Sequence, residues 1–210
     1  PYIAQFWPFP WEGWGGLTGA KFDVSVASGL NQLNSDLVGT YHPTSGTPAV
    51  VFGYSQGATV ATREKSILTE LSVQDQANID FVLIGNPNRP NGGLFERLAM
   101  FGTVPILDAT FGLPTPTDTA MSTVDIAFQY DGVVDFPRYP INLLADLNAI
   151  GGFWYTHGSY LGQAPNGLTP TELAAAIADP ANQQHIAGSD TTYVLIPTPN
   201  LPLLQPLREF

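Results

Sequence analysis

A serine stands between two glycines in Gly53-Tyr54-Ser55-Gln56-Gly57, a match to G-x-S-x-G. A serine hydroxyl is a weak nucleophile until a neighbouring base takes its proton and a carboxylate orients that base. The motif is short, and its surroundings sharpen it. An apolar run, Ala49 to Gly53, ends at the motif, and Gly57-Ala58 opens a segment of helical period. Strand, tight turn and helix in that order present the hydroxyl at a helix N-terminus. There the backbone N–H of Gln56 can donate to a developing oxyanion, aided by the helix dipole. Both flanking glycines are expected to make room where the strand and helix backbones pass close.

The base and the acid must come from elsewhere in the chain. On a strand–elbow–helix fold the order is serine, then Asp or Glu, then histidine. His42 precedes Ser55 and is out of order. His157, in Tyr155-Thr156-His157-Gly158-Ser159-Tyr160, and His185, in Gln184-His185-Ile186, both follow it, and order leaves the two open. The acid should follow a strand at the carboxyl edge of the sheet, where ligands bind in open α/β sheets. Asp131 comes directly after the strand-like run Val124 to Tyr130. Asp135 is the reserve, and Asp108 and Asp118 fall in a stretch broken by Pro105, Gly112, Pro114 and Pro116.

The elements that must position these residues are legible in outline. Val26, Leu30, Leu33 and Leu37 form one apolar stripe, which predicts a helix over 23–38. The runs at Ala49 to Gly53 and Phe81 to Gly85 predict strands buried on both faces. Gly85 to Pro90 reads as a turn near the cleft, and 101–119 as an irregular or hairpin insertion. Leu143 to Ile150 predicts a helix stopped by Gly151-Gly152, and Thr171 to Ala178 a second, capped helix with Thr169 or Thr171 at its start. Thr192 to Ile196 predicts a last strand. Strands alternating with helices predict an α/β-hydrolase-like sandwich, with a mostly parallel central sheet flanked by helices. At 210 residues a single domain is expected over 1–210. Near the start, Phe6, Trp7, Phe9, Trp11 and Trp14 crowd together. They either cover the core or wall a ligand cleft, so Trp7 and Trp14 join Tyr54 as substrate-binding candidates.

Composition narrows the partners. Lys plus Arg is 7 against Asp plus Glu 18, a formal net charge of -11, which repels a phosphate backbone and excludes nucleic acid. With no cysteine there is no disulfide, thiolate metal site or cysteine nucleophile. No histidine–carboxylate spacing suggests a metal and no glycine-rich loop suggests a nucleotide, so no cofactor is expected. No apolar run approaches the ~18 residues a spanning helix needs. Low charge with 19 Pro and 21 Gly suits a secreted or cell-envelope protein, at most peripherally attached to a membrane. The chain starts at Pro1, as a mature form or a piece of a longer polypeptide would.

Gly53 to Ala58 resembles the nucleophile elbow of cutinase-like serine esterases. More specifically, the chain resembles the PE-PPE domain, an α/β-hydrolase domain of mycobacterial cell-envelope proteins. The matching stretches are Gln5-Phe6-Trp7-Pro8, Gly53 to Ala58, Gln129 to Pro137, Asn142 to Ala145, Asn148-Ala149, His157 to Tyr160, Tyr193 to Pro197 and Leu201 to Leu204. The resemblance implies Ser55 as nucleophile and Asp131 as acid. It favours His157 over His185, because the related enzymes hold their histidine in a similar His-x-x-Tyr context. It also implies an earlier strand and an oxyanion loop, which nothing in this sequence matches and which are expected in a longer parent chain. The implied activity is hydrolysis of acyl esters or lipids through an acyl-serine. Acyl transfer to a sugar or lipid hydroxyl, such as trehalose, is the alternative within the same chemistry. A non-catalytic surface-binding module is the alternative outside it.

Overall fold

The computed structural model describes residues 21–105, 108–160 and 168–208. Trp7, Trp14 and the rest of the aromatic N-terminal segment lie outside the described residues.

In chain order the elements are helix α1 (Phe22–Asn34), strand β1 (Ala49–Tyr54), helices α2 (Gln56–Leu68) and α3 (Val73–Gln76), and strand β2 (Ile79–Ile84). Helix α4 (Leu94–Arg97), the short strands β3 (Thr103–Val104) and β4 (Ala109–Thr110), and strand β5 (Thr123–Phe128) follow. Helices α5 (Leu143–Tyr155) and α6 (Pro170–Ala178) and strands β6 (Gln183–His185) and β7 (Thr191–Ile196) complete the set. The main sheet runs β1-β2-β5-β7-β6, parallel except for β6, while β3 and β4 make the hairpin expected in the insertion. The fold is the α/β sandwich that the alternation of strands and helices implies. Tyr54 lies opposite Ile84, Ile84 opposite Ile126, and Phe128 opposite Ile196, so the parallel strands end together at one edge. The residues that follow β1, β2 and β5 therefore gather at that edge.

Each face of the sheet has its own core. Ala49, Val51, Ile79, Phe81 and Leu83 pack with Ala58, Ala61 and Leu68 of α2. On the other face Ile84, Ile126, Phe128, Val194 and Ile196 pack with Tyr160 and with Leu173 and Ile177 of α6. That second core does not extend over β1. Val50 and Phe52 are 64% and 59% exposed, so β1 is buried on one face only and not on both as its unbroken apolar run implies. The reason is position: β1 is the last strand of the sheet among the described residues, and the helix that shields it lies on the Val51 side.

Among the described residues, Lys65 and Arg89 each form a buried ion pair. Lys65 donates to both oxygens of Asp190 at 3.0 Å and to Thr123 at 2.7 Å, and Arg89 donates to Asp125 at 3.1 Å. They tie α2 to the start of β7, and the loop after β2 to β5. The α6 start is a capping box: the Glu172 N–H donates to the Thr169 hydroxyl, and the Glu172 carboxylate accepts from the Thr169 N–H. No helix among the described residues is long and apolar enough to cross a membrane.

Three expectations change. The first helix ends at Asn34, and Ser35–Tyr41 continues as a wider π turn that still buries Leu37. His185 does come just before the last strand, but within a short strand the sequence did not show, β6, antiparallel to β7. Helix α5 does not stop at Gly151-Gly152 but runs on to Tyr155. Those glycines serve close approach. A Cβ on Gly152 would overlap the carbonyl oxygen of Tyr130, so the helix rests directly on the loop that carries Asp131. Alanine at a helix-interior glycine ordinarily stabilises by about 0.5–1 kcal/mol. Here Gly152→Ala is expected to destabilise by about 1–3 kcal/mol, as overpacking does. A thermal or urea melt checks this, and an unchanged or raised Tm would contradict the contact.

Candidate active site

Ser55 sits between the last residue of β1 and the first of α2, with φ 55° and ψ -121°. A non-glycine residue held there is strained, and the surrounding bonds over-determine it. The Ser55 N–H donates to Ile84 O at 3.0 Å, and its own carbonyl accepts from the Ala58 N–H at 2.9 Å. As the first residue of α2, Gln56 offers one of the N–H groups that has no partner inside a helix.

The two elbow glycines are not equivalent. A Cβ on Gly53 would lie 2.7 Å from Gly57 O and 2.8 Å from Ala58 Cα, so strand and helix backbones do pass close there. A Cβ on Gly57 would meet nothing within 4 Å among the described residues. The expectation of a steric role holds for Gly53 and fails for Gly57, because no described residue stands where the Gly57 side chain would be.

His157 opens a short 3-10 turn, His157–Ser159, two residues after the end of α5. Its Nε2 is 2.8 Å from the Ser55 Oγ, and its Nδ1 is 2.9 Å from Asp131 Oδ2 and 3.0 Å from Oδ1. A carboxylate only accepts, so the proton belongs on Nδ1 and Nε2 is left to accept from the serine hydroxyl. Asp131 is fully buried. Its Oδ1 accepts from the Val133 N–H at 2.8 Å and its Oδ2 from the Tyr160 hydroxyl at 2.8 Å. The Tyr160 oxygen in turn accepts from the Phe128 N–H at 2.8 Å. Burial, and then the negative charge of Asp131, push the Tyr160 phenol well above its ordinary range, which keeps it a donor.

Tyr54 turns its hydroxyl to the backbone carbonyl of His157. Its ring lies 5.4 Å from the imidazole, centroid to centroid. Burial, followed by the charge of Asp131, raises its pKa to about 12. Phe153, from the last turn of α5, stacks on the imidazole at 5.9 Å and 13°.

The other candidates have different partners. Asp135 accepts from the Tyr130 N–H at 2.9 Å and so holds the turn that precedes Asp131. His185 is exposed, with Nδ1 3.2 Å from the Thr192 hydroxyl, and His42 caps the π turn in a left-handed conformation. The backbone carbonyl of Asp108 accepts from the Asp23 N–H, and Asp118 is exposed. A cavity of about 480 Å³ lined by Arg89, Arg97, Gln129, Tyr193 and Leu195 includes neither Ser55 nor His157 in its walls.

The family model for the PE-PPE domain matches residues 2–210. The chain belongs to the PE-PPE domain family. Over 210 residues this PE-PPE domain is 40% identical to Esterase PE16 of Mycobacterium tuberculosis, covering 99% of this chain and 38% of that protein. It is also 40% identical over 208 residues to the uncharacterized PPE family protein PPE42 of the same species, covering 98% of this chain and 33% of the relative. It is 33% identical over 209 residues to SL1278 acyltransferase Chp1, also of M. tuberculosis, covering 98% and 46% respectively. The domain thus spans less than half the length of these curated relatives. No solved structure matches it.

Three residues of this PE-PPE domain site had no role assigned to them from the sequence. Tyr160 is one, although the His-x-x-Tyr spacing was the signal that could have found it. Phe153 is another, and no local pattern marks it. Gly85 is the third: at φ +57°, a Cβ there would lie 2.8 Å from the His157 Cε1. Its place directly after β2 was the available clue. Of the two elbow positions, Gly57→Ala is expected to be neutral or to stabilise by up to about 1 kcal/mol. Gly53→Ala must displace backbone, and is expected to lower Tm and remove the Ser55 geometry. Equal tolerance of both in melts and in serine labelling would contradict this reading of the elbow.

Proposed function

We propose that this domain is a serine-dependent enzyme acting on acyl esters. The observation that carries the reading is the unbroken hydrogen-bonded chain from the Ser55 Oγ through His157 to the buried Asp131. In this mechanism His157 Nε2 takes the serine proton as Oγ attacks the ester carbonyl. Asp131 stabilises the imidazolium that forms and holds its tautomer. The Gln56 N–H donates to the tetrahedral oxyanion. The imidazolium then protonates the departing alcohol, which leaves an acyl-serine. Tyr54 and Tyr160 act as supports, one on the histidine backbone and the other on the acid. Trp7 and Trp14 are assigned the apolar border of the acyl group on the strength of the sequence.

Water resolving the acyl-serine makes the domain an esterase, in keeping with the relative named Esterase PE16. An alcohol resolving it makes the domain an acyltransferase, in keeping with Chp1. Both outcomes share every step up to the acyl-enzyme. The first reading is favoured here, since the relative carrying the esterase name is the more similar of the two, 40% against 33% identical. An extracytoplasmic setting is part of the same proposal and rests on composition and family.

A fluorophosphonate probe followed by peptide mapping tests the mechanism. Labelling is expected at Ser55 and is expected to vanish in Ser55→Ala. Hydrolysis of short p-nitrophenyl esters should fall by at least about 10³-fold in both Ser55→Ala and His157→Ala, as loss of a triad member does. His185→Ala should change it less than about twofold. A Ser55→Ala protein retaining a tenth of its turnover, or the opposite ranking of the two histidines, would overturn the assignment. Adding trehalose or another polyol to a turnover mixture separates the two fates, because only an acyltransferase yields the acylated sugar in preference to free acid.

A further inference from the structure

We infer that the outward face of α5 is a docking face for an uncharged lipid surface. The inference rests on the ester-acting reading only for the purpose of such docking, the delivery of acyl esters to Ser55. Leu143, Leu147, Ile150 and Trp154 follow one another at i, i+4, i+7 and i+11, a single stripe along the helix. Such a stripe ordinarily faces a core. Here it faces solvent: Leu143 is 76% exposed, Leu147 49%, Ile150 56% and Trp154 70%. Leu144, beside the stripe, is 72% exposed. The inward face is made of small residues, with Ala149 and Gly152 buried against the Asp131 loop. The Pro202–Leu207 turn packs beside Gly151, away from the stripe, and leaves the stripe uncovered. A soluble chain rarely leaves so large an apolar face open without a partner.

Charge selects the partner. Between Tyr139 and Thr156 the sole charged residue is Asp146, which is half-buried, although the chain as a whole carries -11. Arg138, just before Tyr139, is exposed, but along the stripe itself a charged partner finds only Asp146, and an anionic bilayer is repelled by the net charge of the molecule. Two copies of this chain would bring two such acidic bodies together. An uncharged, apolar surface meets neither obstacle. Tryptophan at the end of an apolar stripe suits the boundary between acyl chains and water. The stripe also ends at the site. Trp154 is three residues before His157, and its neighbour Phe153 stacks on the imidazole. A helix seated on lipid by this face therefore brings His157 and Ser55 to the layer that holds the esters.

The test is flotation of the full chain, as Ser55→Ala to prevent turnover, with phosphatidylcholine vesicles. The protein is expected to float with them. The double variant Leu144→Glu/Leu147→Glu is expected to lose at least tenfold in partition. On the Ser55 background the same double variant should label normally with the fluorophosphonate and cleave soluble short esters as before, but lose activity on emulsified long-chain esters. Vesicles containing phosphatidylglycerol should bind less at low salt, with the difference closing as salt is added. A protein that stays in solution, a double variant that floats as well as its parent, or binding that requires the anionic lipid would each overturn the inference. A dimer in sedimentation that the double variant dissociates, without flotation, would assign the face to a second copy instead. Flotation by a protein that the probe fails to label would keep the docking face and reject the enzymatic reading.

Discussion

Asp131 places a carboxylate in the interior with no exposed surface, and much of the neighbouring structure answers to it. An ionised carboxylate taken out of water costs several kcal/mol unless donors replace the lost solvent. Three do so: the Val133 N–H, the Tyr160 hydroxyl and the His157 Nδ1–H. They come from three places in the chain, one from the loop itself, one from the turn after α5 and one from just beyond it. Two of the three are fixed by a further bond. Tyr160 is held by the Phe128 N–H at the end of β5, and the His157 carbonyl by the Tyr54 hydroxyl. The carboxylate thus ties β1, β5 and the end of α5 into one network, and the imidazole orientation follows from it.

The backbone around the site is strained on both sides of the histidine. Ser55 and Tyr130 both have positive φ, 55° and 68°, though neither is glycine. Each conformation is of the kind that persists only where surroundings enforce it. At Ser55 the enforcement is the bond to Ile84 O and the start of α2. At Tyr130 it is the bond to Asp135 and the pressure of α5 through Gly152. Asp135, an alternative acid by spacing, therefore shapes the turn that delivers Asp131.

A second buried polar network lies beneath the first. Asn86 donates to Asp125 and to the Thr115 hydroxyl, both at 2.9 Å, and Arg89 pairs with Asp125. Arg89 also lies over the ring of Tyr193. This network holds the loop after β2, whose first residue, Gly85, leaves room for the imidazole. With few charges in the chain, both Arg89 and Lys65 are committed to interior pairs.

What the sequence by itself determined is what contiguous residues decide. The strand–elbow–helix at Ser55, the placing of Asp131 at a strand end and the capping box of α6 all depend on neighbours a few positions apart. The choice between His157 and His185 did not follow from order, because both come after Asp131. Only the packed molecule shows that His157 returns to the carboxyl edge beside Ser55 while His185 enters the sheet in β6. Three further features required the packed molecule: the half-open face of β1, the lack of any described neighbour beside Gly57 and the passage of α5 through two glycines. The apolar stripe of α5 makes the reason plain. Its period is that of a core-facing helix, yet Ala149 and Gly152 face the interior and the leucines face out. Burial is set by what packs against a face, and here that partner is the backbone of the Asp131 loop, which comes so close that only Ala149 and Gly152 fit against it.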